Sequence, residues 1–136
     1  LTPLMLAARE GHISIVRLLL GAGASVDQRD HEQRTALIFA AKYSHPATAG
    51  LLIDHGAAID AADHDGWTAL MHAARGGHLA MVRNLLDHRA DPSRHSRRGR
   101  SVLFIARAAG HTDTARLLED AGARLPVDMP RGVVEQ

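Results

Sequence analysis

Ten histidines, no cysteine, and sixteen Lys+Arg against fifteen Asp+Glu are the raw material for chemistry in this 136-residue chain. Without cysteine there is no disulfide framework, no thiolate zinc site and no cysteine nucleophile. Histidine is then the main candidate metal ligand, and His12, His45, His78 and His111 recur every 33 residues. Stacked helical units stand about 10 Å apart, whereas zinc ligands lie ~2 Å from the metal. Successive members of that series therefore cannot share one ion. Each is expected instead to sit at a helix start and bond to loop backbone of an adjacent unit. His31 and His64 lie beside Asp and Glu, and with His95 near the hairpin tips they offer at most a weak surface site. His72 is expected to be a partly buried packing residue.

Motifs for catalysis fail on inspection. His31-Glu32 opens like a zinc-protease helix, but Thr35 stands where the second His must be. Gly21-Ala22-Gly23 lacks the third glycine of a dinucleotide loop and follows a helical pattern rather than a strand. Neither a G-x-x-x-x-G-K loop nor a G-x-S-x-G turn occurs. The reading is no catalytic residue, no metal site and no cofactor. What remains is cationic and aromatic: Arg97-Arg98-Gly99-Arg100 with Trp67 could contact phosphates and a base.

The elements that position these residues follow from composition and period. Hydrophobic residues make up 46% of the chain and only 3% are aromatic; 24 Ala and 17 Leu fill the apolar fraction. Small helix-favouring residues argue for packed helices and against a β-sandwich. No apolar run approaches the ~18 residues of a membrane span. Arg outnumbers Lys so strongly that Lys42 is the one lysine, a usage typical of GC-rich coding sequence and consistent with a bacterial source.

Sliding the chain against itself by 33 residues aligns it without a gap. Thr2, Thr35, Thr68 and Ser101 share a column, as do Leu4, Leu37, Leu70 and Leu103. So do Ala7, Ala40, Ala73 and Ala106, and Leu19, Leu52, Leu85 and Leu118. These last twelve apolar residues are the predicted core. The hydroxyl residues are N-caps, and Pro3 suits the first helical position. Leu70, Met71, Ala73 and Ala74 are spaced for one helical face. Gly76-Gly77 ends that helix, and His78 opens a second one with Leu79, Val82, Leu85 and Leu86 inward. Gly23, Gly56 and Gly122 follow the second helix where positive φ is needed. The predicted helices are 2–10, 12–21, 35–43, 45–54, 68–76, 78–88, 101–109 and 111–121. Two such helices cannot bury their faces alone, so the units must stack into one core.

The unit resembles the ankyrin repeat. Thr2-Pro3-Leu4 with Ala7-Ala8, the Gly-His pairs at Gly11, Gly77 and Gly110, Leu51-Leu52 to Gly56-Ala57, and the Asp63 to Thr68 turn carry the resemblance. It covers residues 1 to about 125 as one domain with repeats near 1–29, 30–62, 63–95 and 96–125, and leaves 126–136 as a C-terminal tail. The fold class implied is an all-α ankyrin-repeat solenoid of stacked helix–turn–helix units with short hairpin loops. Met5, Ile38, Met71 and Phe104 replace the histidine usual after T-P-L. Gln33, Ser44 and Arg89 replace expected glycines and Asn84 replaces a core leucine, so the stretch from Asn84 to Arg89 is the expected irregular spot. Residue 1 falls in mid-repeat, so a fragment or an unstructured leader is expected; the cytoplasm is favoured, with secretion or a periplasmic location left open. Glu119 on an otherwise apolar ridge suits a terminal repeat.

Family resemblance also implies where a partner would touch: hairpin tips and the exposed side of each first helix. Those columns hold Arg9, Glu10, Arg29, His31, Glu32, Arg34, Lys42, Tyr43, His64, Asp65, Trp67, Arg75, His95, Arg97, Arg98 and Arg100, with Arg34, Tyr43, Trp67, Arg75 and Arg100 as the expected centre of the partner site. Arg34, Trp67 and Arg100 share one column, and Arg9, Lys42 and Arg75 another. Trp, Tyr and Arg dominate binding hot spots. The plain alternative is a solvated charged face with Trp67 tucked against Arg34 or Arg100. The implied function is a monomeric, non-enzymatic adaptor whose concave face holds a protein with an acidic surface. A targeting arm of a larger enzyme or effector is a second reading. Nucleic-acid or polyanion binding is a third, disfavoured by a net charge of only +1.

Overall fold

In the computed structural model, residues 1–123 are described. Thr2, Thr35, Thr68 and Ser101 each turn extended backbone into helix, their hydroxyls accepting from the N–H groups of Met5, Ile38, Met71 and Phe104 at 3.1–3.3 Å. These caps open α1 (Pro3–Glu10), α3 (Ala36–Lys42), α5 (Ala69–Gly76) and α7 (Val102–Ala108). A tight turn then leads into α2 (Ile13–Gly21), α4 (Pro46–Asp54), α6 (Leu79–Asp87) and α8 (Thr112–Asp120). All eight predicted helices are present, their limits within about two residues of those expected.

The first helices form one row, α1 against α3, α3 against α5 and α5 against α7; the second helices form a parallel row behind. Fully buried alanines at positions 8, 40, 41, 73, 74 and 106 let the first row close up. The histidine series does what its register predicts. Imidazole Nε2 atoms of His45, His78 and His111 meet the carbonyls of Arg9, Lys42 and Arg75 in the preceding repeat at 2.9, 3.1 and 3.0 Å. Each such bond satisfies a carbonyl that a helix end would leave open.

Of the predicted core, Leu19 alone is only half-buried; the other eleven residues are buried. Its counterparts Leu52, Leu85 and Leu118 are fully covered because each has an earlier helix over it, and α2 has none among the described residues. Ile15 and Leu18, on the same side of α2, are 47% and 73% exposed.

The three residues in glycine columns take the glycine conformation: Gln33, Ser44 and Arg89 have φ of 63°, 61° and 69°. An L side chain there costs roughly 1–2 kcal/mol. The expected irregularity from Asn84 to Arg89 shrinks to Arg89 itself. Asn84 sits within an unbroken α6, and its Nδ2 donates to the Pro46 carbonyl at 2.9 Å across the repeat boundary. Glu119 is exposed and pairs with Arg107 at 3.1 Å. The predicted tail 126–136 lies outside the described residues.

Candidate partner-binding surface

Among the described residues the second, third and fourth repeats each open on a hairpin tip, called the second, third and fourth tips, and the three share one local design. Asp30 Oδ1 accepts the N–H groups of Glu32 and Arg34 at 3.0 and 2.8 Å. Asp63 Oδ1 does the same for Asp65 and Trp67 at 3.0 and 2.9 Å. In the last tip Ser96 Oγ takes the Arg100 N–H at 3.2 Å. Each tip is closed by a backbone bond across it, from Asp30 to Arg34, Asp63 to Trp67 and Ser96 to Arg100. Successive tips are laddered by His64 N–H to the Glu32 carbonyl and Arg97 N–H to the Asp65 carbonyl, both 2.9 Å. Gly66 is needed at that ladder: its φ is 77°, and a Cβ there would stand 2.7 Å from the Arg97 nitrogen.

Side chains then divide the surface in two. In the first half the charges are spent locally. Arg9 pairs with Glu10 at 3.2 Å. Arg34 pairs through Nε with Asp30 at 2.8 Å and through Nη1 with Glu32 at 3.1 Å, and its guanidinium lies 4.8 Å from the Phe39 ring centre. Burial of the Asp30 carboxyl acts to raise its pKa, but the Arg34 N–H, the Arg34 guanidinium and the Glu32 N–H outweigh it and hold the group below 3.8. Lys42 Nζ rests 5.6 Å from the ring of Tyr43, which is 46% exposed.

In the second half the charges are open. Arg75, Arg98 and Arg100 have no ion pair and donate no side-chain hydrogen bond among the described residues. Arg97 gives one N–H to the His64 carbonyl at 3.2 Å. These four guanidiniums and Trp67 surround two adjoining clefts. One, about 390 Å³, lies at the tips and is lined by Asp65, His72 and the four arginines as well as Trp67. The other, about 310 Å³, runs between α5 and α7 over Phe104, Ile105, Ala108 and Ala109. Trp67, Arg75 and Arg100 form the wall they share.

Trp67 is half-buried, packed on the core edge, and covered by Arg75 at 5.8 Å, not by Arg34 or Arg100 as the plain alternative had it. Arg100 lies over Phe104 instead, at 5.7 Å. The His72 ring stands 5.1 Å from Trp67, and its Nε2 donates to Asp63 Oδ2 at 2.8 Å. His72 is thus more than packing: it buttresses the turn that carries Trp67. Burial holds its pKa below 6.5, helped by the charges of Lys42 and Arg75 and opposed by Asp63. Asp65 belongs to the surface columns read from the sequence, whereas Phe104 had no part in them; its spacing four residues after Arg100 was the available signal.

Among the described residues no group of three or more His, Asp or Glu could hold a metal ion. No described helix is long and apolar enough to cross a membrane. The family model for ankyrin repeats (three copies) matches residues 1–63 and again 51–128. No curated protein matches the chain. Ankyrin repeats are general protein–protein interaction modules and typically carry no catalytic activity. With the repeat pattern, the paired helices and the match over nearly its whole length in agreement, the chain belongs to the ankyrin repeat family.

Proposed function

We propose that residues 1–125 act as one non-enzymatic adaptor module that holds an acidic partner protein against its hairpin tips and first helices. The contact is centred on Trp67, Arg75, Arg97, Arg98 and Arg100, with Tyr43 and Lys42 beside it and Arg9 and Arg34 at the edge. One observation supports this reading above others: guanidiniums without a carboxylate partner face two clefts beside an indole ring. Arginine forks pair bidentately with carboxylates. The laddered tips hold these side chains on a rigid frame, which lowers the ordering cost of association.

Co-purification from the native host, with bound proteins identified by mass spectrometry, tests the reading. A partner captured by the wild type and lost from Arg98→Glu/Arg100→Glu is the expected result. A partner retained by that variant and lost on changing the second-helix backs would overturn it.

A further inference from the structure

The second and fourth hairpin tips have the same backbone and opposite charge. Arg34 and Arg100 occupy equivalent positions 33 × 2 residues apart in the repeat frame, and each N–H is held by the first side chain of its tip. Around Arg34 that first side chain is Asp30 and the third tip residue is Glu32; both carboxylates pair with its guanidinium. At the matching places beside Arg100 stand Ser96 and Arg98. Ser96 Oγ keeps the backbone hydrogen bond but brings no charge. The fourth tip therefore lacks the two negative charges that neutralise the second, and Arg98 adds a cation where one of them was.

We infer that a phosphoryl group on a serine or threonine of the partner occupies the cleft beside Arg98 and Arg100 and supplies both missing charges. This rests on the partner-binding reading above and narrows it. A phosphoserine carries about −1.5 to −2 charge at neutral pH and three strong acceptor oxygens. A glutamate brings one charge and can satisfy one fork. With Arg75 on the shared wall and Arg97 at the tip, four guanidiniums converge on a cleft of about 390 Å³ whose one acidic lining residue is Asp65. The adjoining cleft, floored by Phe104 and Ile105 and flanked by Arg75 and Arg100, leaves room for a side chain next to the phosphorylated residue. A nucleic-acid strand fits less well. The cations form a spot, not a track, and Glu10, Asp30 and Glu32 line the same surface in the first two repeats.

Trp67 is the single tryptophan, so its emission reports this site. Short degenerate peptide pools, identical except for a central phosphoserine, glutamate or serine, are titrated into the full chain. An oligothymidylate and inorganic phosphate are titrated alongside. The phosphoserine pool is expected to change Trp67 emission saturably and to bind about tenfold or more tightly than the glutamate pool. Inorganic phosphate should compete. The variant Ser96→Asp/Arg98→Glu, which rebuilds the self-neutralised second tip, should lose that preference while keeping its thermal midpoint. Equal binding of the phosphoserine and glutamate pools would overturn the phosphoryl inference and leave the acidic-partner reading intact. Tighter binding of the oligothymidylate, or no response to any ligand, would also overturn it. In the last case the co-purification experiment still judges the broader reading.

Discussion

His72 Nε2 donates to Asp63 Oδ2 across 2.8 Å, tying the middle of α5 to the turn that carries Trp67. The same Asp63 carboxylate holds the Trp67 N–H through its other oxygen, at 2.9 Å. One acid thus fixes the tip at its backbone, and one imidazole fixes the acid.

This pair makes stability depend on pH. The His72 pKa is lowered from 6.5 in the folded chain, so the unfolded chain takes up that proton first. Stability from this group is complete above about 6.5 and is lost as pH falls below it. The thermal midpoint should therefore drop on going from about pH 7.5 to pH 5.5. His72→Gln should flatten that slope, read by melting curves across the range; an unchanged slope would remove His72 as its source.

A second acid transition has different groups behind it. The Asp91 carboxyl is held low by hydrogen bonds from Ser93, and Asp30 is held low by Arg34 and Glu32 despite its burial. Their stabilisation is present above 3.8 and lost as pH falls further. Asp30→Asn should weaken this low-pH loss, and Arg34 should then become reactive to arginine-directed reagents, which peptide mapping would reveal.

Arg89 carries left-handed backbone in the column where Gly23, Gly56 and Gly122 stand. Arg89→Gly removes strain of roughly 1 kcal/mol, partly offset by the greater freedom of glycine in the unfolded chain. A small rise in melting temperature is expected. A fall would show that the Arg89 side chain contributes more than its backbone costs.

Leu70→Ala and Leu85→Ala should each destabilise by about 2–5 kcal/mol, since both side chains are 1% exposed or less. Denaturant titration measures this. Hydrogen exchange should open the first repeat before the middle two, because Leu19 is half-buried and Leu18 stands largely in solvent. Equal protection of α2 and α4 would contradict that order.

The stack was legible because every repeat repeats its caps, its alanines and its histidine at one interval. Leu19 was not, because a column of identical leucines does not say which copy has no earlier helix over it among the described residues. The ion pairs of Arg34 were missed for a different reason. Eight of the sixteen Lys and Arg residues can be counted in the surface columns, but which are already neutralised depends on side chains two and four residues away in a folded tip. The alternative that tucks Trp67 against its column neighbours Arg34 or Arg100 does not hold; the side chain instead meets Arg75 from α5. Column neighbours were the wrong guide where a tip residue leans back onto its own helix.

The claim that the third and fourth tips form the partner site is tested most directly by calorimetric titration of the co-purified partner against wild type and Arg98→Ala/Arg100→Ala. Trp67→Ala is the less clean probe, because Trp67 also packs on the core and on His72. The arginine pair is exposed and makes no ion pair among the described residues, its one ring contact being Arg100 over Phe104, so its removal should leave the melting temperature nearly unchanged. Affinity should fall by about 2 kcal/mol or more, the mark of a hot spot. Wild-type affinity retained by the double variant would contradict the account.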